Sequence, residues 1–137
     1  MRRETTAAQV RLLLDTCTFL WAVSDPDRLP ARVADLMLAP DNDVFVSAAS
    51  AWELVIKAGT GRLSLRGAAD RFVREQREIA GFAALPIDEE SALHVSRLPA
   101  LHRDPFDRIL VSQAIVHGLT ILTPDPLVTQ YPARTTW

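Results

Sequence analysis

The chain has 137 residues, enough for one domain that buries ~68% of its unfolded surface and too few for two. Hydrophobic residues make up 48% and charged residues 23%, which excludes a disordered chain, and no run approaches about 18 uninterrupted apolar residues, which excludes a membrane-spanning helix. The net charge of -2 excludes a protein that coats nucleic acid by bulk charge, so any nucleic-acid contact must be local.

The start Met1-Arg2-Arg3-Glu4-Thr5 lacks the apolar stretch of a secretory signal, and a cytoplasmic protein with no membrane partner is expected. Cys17 is the only cysteine, so no internal disulfide can form, and three histidines without a cysteine pattern give no zinc site. A bound metal would need oxygen ligands. Fourteen arginines stand against one lysine, Lys57. Arginine grips phosphate well, but arginine-rich codon usage gives the same ratio and is preferred as the explanation.

Residues 1 to 9 read as a flexible lead-in to a single domain over 10–137. The apolar run Val10 to Leu14, ending at Asp15-Thr16, has the form of a strand buried on both faces. A helical pattern follows over Thr18 to Val23 and stops at Ser24-Asp25-Pro26-Asp27. Pro30 opens a helix over Ala31 to Leu38, Pro40 to Asp43 form a loop, and Val44 to Val46 are a second strand. Ser47 can cap a helix from Ala48 to Ala58, apolar nearly all round, that Gly59 and Gly61 end. After an ambiguous stretch from Arg62 to Leu65, Ala68 to Ala80 read as an amphipathic helix closed by Gly81. Phe82 to Ile87 form a weaker third strand, and Asp88 begins a helix to Leu98. Asp104-Pro105 starts the next helix, which ends at His117-Gly118. Leu119 to Leu122 are the fourth strand, and a short fifth falls near Arg134 to Trp137.

Strands alternating with helices predict a parallel sheet covered on both faces, an α/β fold in three layers, α/β/α. In such a sheet strand ends and the starts of the following helices share the edge where ligands bind. Asp15 ends the first strand, Glu53 lies in the second turn of the helix after the second strand, Asp107 in the first turn before the fourth, and Asp125 just after it. Four like charges at close range either raise some pKa values or recruit a cation. All-oxygen ligation selects Mg²⁺ or Mn²⁺, and the natural chemistry is phosphodiester hydrolysis.

Each acid also has a structural role open to it. Asp15 sits where a helix cap sits; Asp104 and Asp107 fit the cap and third positions of a helix with Pro105 at its first; Glu53 and Lys57 have the spacing of a plain i to i+4 surface pair; Asp125, between two prolines, suits a turn. His102, Arg103 and Arg108 flank the third acid and could meet a substrate backbone or acidic groups of a partner, or Arg108 could pair with Asp104. His94 and His117 read as structural, Cys17 as a small packing residue, and Trp21 and Trp52 as core or dimer contacts.

Four segments, Leu13-Leu14-Asp15-Thr16, Val46 to Lys57, His102 to Arg108 and Leu122 to Asp125, resemble in order and spacing the PIN-domain ribonucleases, and within them the VapC-like toxins of bacterial type II toxin-antitoxin modules. The resemblance runs from about Leu12 to the carboxyl terminus. It implies a PIN-like three-layer fold, a Mg²⁺- or Mn²⁺-dependent endoribonuclease that uses water as nucleophile, an RNA substrate, a cognate antitoxin and a homodimer. Position by position, it assigns Asp15, Glu53 and Asp107 as metal-binding acids and Asp125 as a more variable fourth. Thr16 and Thr123 match hydroxyl positions beside them, and Thr123 is placed to orient a water on the metal. The chain departs at Cys17, where relatives often carry His, and at Pro124-Asp125-Pro126. The competing readings are a catalytically inactive PIN-like module that binds RNA or antitoxin, and a receiver-type signalling domain. A receiver needs paired acids after the first strand and a late lysine; here Thr16 follows Asp15 and Lys57 is the only lysine.

Overall fold

Three consecutive leucines, Leu12, Leu13 and Leu14, are completely buried, and the strand that carries them, β1 (Arg11–Leu14), is the middle of a five-stranded sheet. The structure, a computed structural model, describes residues 9–137; the expected lead-in over 1–9 lies outside them except for Gln9. In chain order β1 is followed by α1 (Thr16–Ser24), a 3₁₀ turn (Pro26–Arg28), α2 (Ala31–Leu38), β2 (Asp43–Ser47), α3 (Ala48–Gly59) and α4 (Ala69–Ala80). Then come β3 (Ala83–Leu85), α5 (Glu89–His94), a second 3₁₀ turn (Val95–Arg97), α6 (Pro105–His117), β4 (Thr120–Leu122), α7 (Pro126–Thr129) and β5 (Thr135–Thr136).

All neighbouring strands are parallel, in the order β3-β2-β1-β4-β5. Alternation along β1 sends Leu12 and Leu14 to one face and Leu13 to the other. Leu12 and Leu14 pack with Phe19 of α1, Val33 of α2, Leu54 of α3 and Val73 of α4. Leu13 packs with Leu110, Val111 and Ala114 of α6 and Val128 of α7. Helices therefore cover both faces, and the three-layer α/β/α architecture follows. Each fully buried leucine contributes about 1.5–3 kcal/mol of transfer free energy. Among the described residues no helix is long and apolar enough to cross a membrane.

Local chemistry sets most boundaries. Ser47 Oγ accepts from Ala49 N at 3.0 Å and starts α3 at the expected residue. Gly118 ends α6 in the left-handed region (φ 67°), which glycine enters without a Cβ penalty. Three expectations change. The helix begun at Asp88 is shorter, because α5 tightens into the 3₁₀ turn Val95–Arg97. The third strand contracts to Ala83–Leu85, and α1 starts at Thr16, two residues earlier than the hydrophobic pattern, because Asp15 caps it. The short α7 was not anticipated.

The two ends of the α5–α6 pair are tied together. Asp88 caps α5, accepting from Ser91 N at 3.1 Å and Ser91 Oγ at 2.7 Å, and lies 2.8 Å from His117 Nε2. The His117 contact, then the Ser91 bonds, hold the Asp88 carboxyl well below its ordinary value of 3.8. A depressed carboxyl stabilises the fold above its unfolded-state pKa, and that contribution is lost as pH falls through the folded-state value. Asp88→Asn is therefore expected to flatten the loss of unfolding free energy between about pH 5 and about pH 2, read by urea titration. An acid slope equal to that of the wild type would contradict the tie.

Candidate metal centre

The chain leaves β1 at Asp15, whose extended backbone (φ -76°, ψ 173°) turns it into α1. Asp15 Oδ1 accepts from Thr18 N at 2.8 Å, so the cap role foreseen for it is filled. Its Oδ2 accepts from Thr123 Oγ1 at 2.5 Å, reaching to the end of β4. Thr18 Oγ1 completes the tie by donating to the Leu122 carbonyl at 2.9 Å. These contacts span the point where strand order reverses, with β2 on one side of β1 and β4 on the other, the place where open parallel sheets form ligand crevices. Asp15 is only 6% exposed. Burial raises its pKa above 3.8 despite the donors from Thr123 and Thr18, and the negative charge of Asp125 adds to the rise.

Glu53 points inward from α3 and is 8% exposed. Its Oε1 accepts from Thr16 Oγ1 at 2.6 Å, and its Oε2 lies 2.8 Å from Lys57 Nζ. The i to i+4 pair exists, but it joins a buried acid to a half-buried lysine and is no plain surface bridge. The bond to Glu53 raises the Lys57 pKa. Thr16 Oγ1 and Ser50 Oγ lie 3.1 Å apart, so a hydroxyl pair lines the gap between Asp15 and Glu53.

Asp107 lies in the first turn of α6, capped by Asp104, whose Oδ1 accepts from Phe106 N at 2.9 Å and Asp107 N at 3.3 Å. Asp107 Oδ2 is 3.0 Å from His102 Nε2. Burial pushes its carboxyl up to about 6, opposed by the His102 bond and reinforced by the charges of Asp104 and Asp125. Asp125 caps α7 through Leu127 N at 2.9 Å, and its own N–H donates to Thr123 Oγ1 at 3.0 Å. Its charge adds to the rise of both Asp15 and Asp107.

Topology thus delivers all four acids to one edge, but their side chains are not drawn into one ligating group. Among the described residues no three His, Cys, Asp or Glu side chains are close enough together to hold an ion. Each carboxylate is instead satisfied by a protein donor: Asp15 by Thr18 and Thr123, Glu53 by Thr16 and Lys57, Asp107 by His102. The donor chemistry fits a hard divalent cation, since carboxylate and hydroxyl oxygens are what Mg²⁺ and Mn²⁺ select. Burial is the main cause of the upward shifts of Asp15 and Asp107, with the neighbouring acids adding to them. To hold an ion, Asp15, Glu53 and Asp107 would have to draw closer together, with Lys57 competing for Glu53 and His102 occupying only one oxygen of Asp107.

Other expectations near the site are revised. Arg108 does not pair with Asp104 or reach outward; it donates to the Pro99 carbonyl and to the Tyr131 hydroxyl, each at 2.9 Å. Arg103 is exposed, and with Arg62, Lys57 and Phe106 it lines a cleft of ≈ 380 Å³ that opens beside Glu53. Cys17 is exposed and not a packing residue; partial desolvation of its thiol beside the protein surface, then the Asp15 charge, raises its pKa, which disfavours the thiolate. Trp52 is 60% exposed, with its ring edge-on to Phe106 at 5.3 Å. Thr18 and Tyr131 escaped the sequence reading. Thr18 lies three residues after an N-cap acid, a usable signal, whereas nothing near Tyr131 in sequence points to the site.

The PIN domain family profile matches residues 12–132. No curated protein sequence matches the chain. Similar solved structures include VapBC2 from Rickettsia felis bound to a DNA fragment from its promoter, at 15% identity, 93% of this chain, 98% of that chain and TM-score 0.69. VapBC-1 from nontypeable Haemophilus influenzae matches at 16% identity, 93% and 97% coverage and TM-score 0.64. FitAcB from Neisseria gonorrhoeae matches at 25% identity, 92% and 96% coverage and TM-score 0.62. With the profile spanning nearly the whole described domain, the chain belongs to the PIN domain family.

Proposed function

We propose that the chain is a Mg²⁺- or Mn²⁺-dependent endoribonuclease, the cytoplasmic toxin of a toxin-antitoxin module, and that it hydrolyses RNA phosphodiesters with water. One observation carries this reading: Asp15 lies buried at the switch point of the sheet, with Glu53 and Asp107 on the same edge. A divalent ion held by these acids supplies Lewis acidity toward the phosphoryl group and acidifies a water.

The chain's own residues do the rest. Thr18 and Thr123 fix both oxygens of Asp15, so this carboxylate needs little reorganisation. Thr16 fixes one oxygen of Glu53 while Lys57 balances its charge. Thr123 joins Asp15 to the Asp125 backbone, which supports a role for it in positioning Asp15. Arg62 and Arg103 offer the cations that grip a nucleic-acid backbone in the cleft beside Glu53. An antitoxin partner is supported by the neighbouring structures, which include VapBC assemblies and a toxin-antitoxin complex from Klebsiella pneumoniae.

A homodimer is part of the same proposal, and α3 rather than α1 offers it a surface. Phe19 is fully buried, and Leu20, Ala22 and Val23 pack on the chain's own core. Trp52, Val55 and Ile56 of α3 remain exposed, and a cluster of this kind is depleted by association.

Asp15→Asn is expected to lower Mn²⁺-dependent cleavage of cellular RNA by about 10²-fold or more while leaving the circular dichroism spectrum native. RNA binding without cutting by the wild-type chain would contradict the nuclease assignment. In light scattering at micromolar concentration the wild type is expected to run as a dimer and Trp52→Glu as a monomer. A wild type that is monomeric throughout would remove the dimer.

A further inference from the structure

Three side chains outside the metal-holding set form one continuous hydrogen-bonded path onto Asp107. Arg108 Nη1 lies 2.9 Å from the Tyr131 hydroxyl. That hydroxyl lies 2.7 Å from His102 Nδ1, and His102 Nε2 lies 3.0 Å from Asp107 Oδ2. The residues come from the loop before α6, the first turn of α6 and the segment after α7, so the path is a tertiary construction.

Proton accounting gives the path a direction. A guanidinium has donors only, so the Tyr131 oxygen accepts from Arg108. Tyr131 is 3% exposed, and a buried phenol proton requires an acceptor. Among the described residues the acceptor within reach is His102 Nδ1. Nδ1 must then present its lone pair, the ring proton sits on Nε2, and Nε2–H donates to Asp107 Oδ2. Arg108 cannot easily turn away, because the Pro99 carbonyl at 2.9 Å and the Val95 carbonyl at 3.4 Å hold the same guanidinium.

We propose that Arg108, Tyr131 and His102 act as a positioning relay that locks the imidazole in its Nε2–H tautomer and so aims the Asp107 carboxylate for cation binding. This rests on the assignment of Asp107 as a metal-holding acid. The relay holds Oδ2 through a single ring N–H, and no protein donor is within hydrogen-bond distance of Oδ1 among the described residues. Partners of this kind behind ligating groups are worth about 10–100-fold in metal affinity. His102 and Tyr131 are positioning residues and not catalytic ones, since each acts through Asp107.

The test uses the full chain in two states. In the metal-free protein at neutral pH, nitrogen NMR of the histidine side chains is expected to show His102 with its proton on Nε2, and Tyr131→Phe, which keeps the ring and loses the hydroxyl, is expected to give a mixture of tautomers. In Mn²⁺ titration, Tyr131→Phe is expected to bind about tenfold more weakly than wild type. His102→Gln, whose amide retains a donor and an acceptor, is expected to fall between wild type and His102→Ala. A wild-type His102 protonated on Nδ1, or a Tyr131→Phe protein that binds Mn²⁺ as tightly as wild type, would overturn the relay. A wild type that binds no Mn²⁺ would overturn instead the metal assignment of Asp107, and the aim of the relay with it.

Discussion

A carboxylate buried at the end of the central strand cannot persist without donors, and Asp15 draws them from two directions. The Thr18 amide comes from its own helix, and the Thr123 hydroxyl comes from the far side of a strand crossover. The second contact makes the site a property of the whole sheet. β1 and β4 must pair in register, Leu12 with Thr120 and Leu14 with Leu122, for Thr123 to arrive beside Asp15. A register slip of one residue would exchange side chains between the two helix-covered faces and carry Thr123 away from Asp15.

The rest of the edge follows the same logic of compensation. Like charges brought together by topology repel, and each is met by a different neighbour: a lysine one turn along α3, a histidine in the loop before α6, a helix amide for Asp125. Lys57 competes with an incoming cation for Glu53, whereas His102 holds one oxygen of Asp107 and leaves the other open. The centre is best seen as a set of carboxylates held on one edge by protein donors, two of them with raised pKa values.

Much of the fold was legible because strong local signals agree with the burial pattern. The unbroken leucines of β1, the cap at Ser47, the Pro105 start and the Gly118 stop of α6 each appear within a residue or two of expectation. The candidate acids were legible from topology alone, since strand ends and helix starts must share an edge. What stayed hidden depends on side-chain direction. Periodicity could not tell that Glu53 is buried, that Cys17 faces out of α1, or that Arg108 turns inward to carbonyls. Tyr131 was invisible for a plainer reason: its partner His102 is 29 residues away, joined only by the packing of α7 against α6.

The central claim is that scattered acids serve a single divalent ion site on this edge. Anomalous diffraction from a crystal of the full chain soaked in Mn²⁺ tests it most directly. The claim predicts manganese density in contact with Asp15, Glu53 and Asp107, with Lys57 displaced from Glu53. Saturating Mn²⁺ that leaves these carboxylates on their protein donors and places no density between them would contradict it.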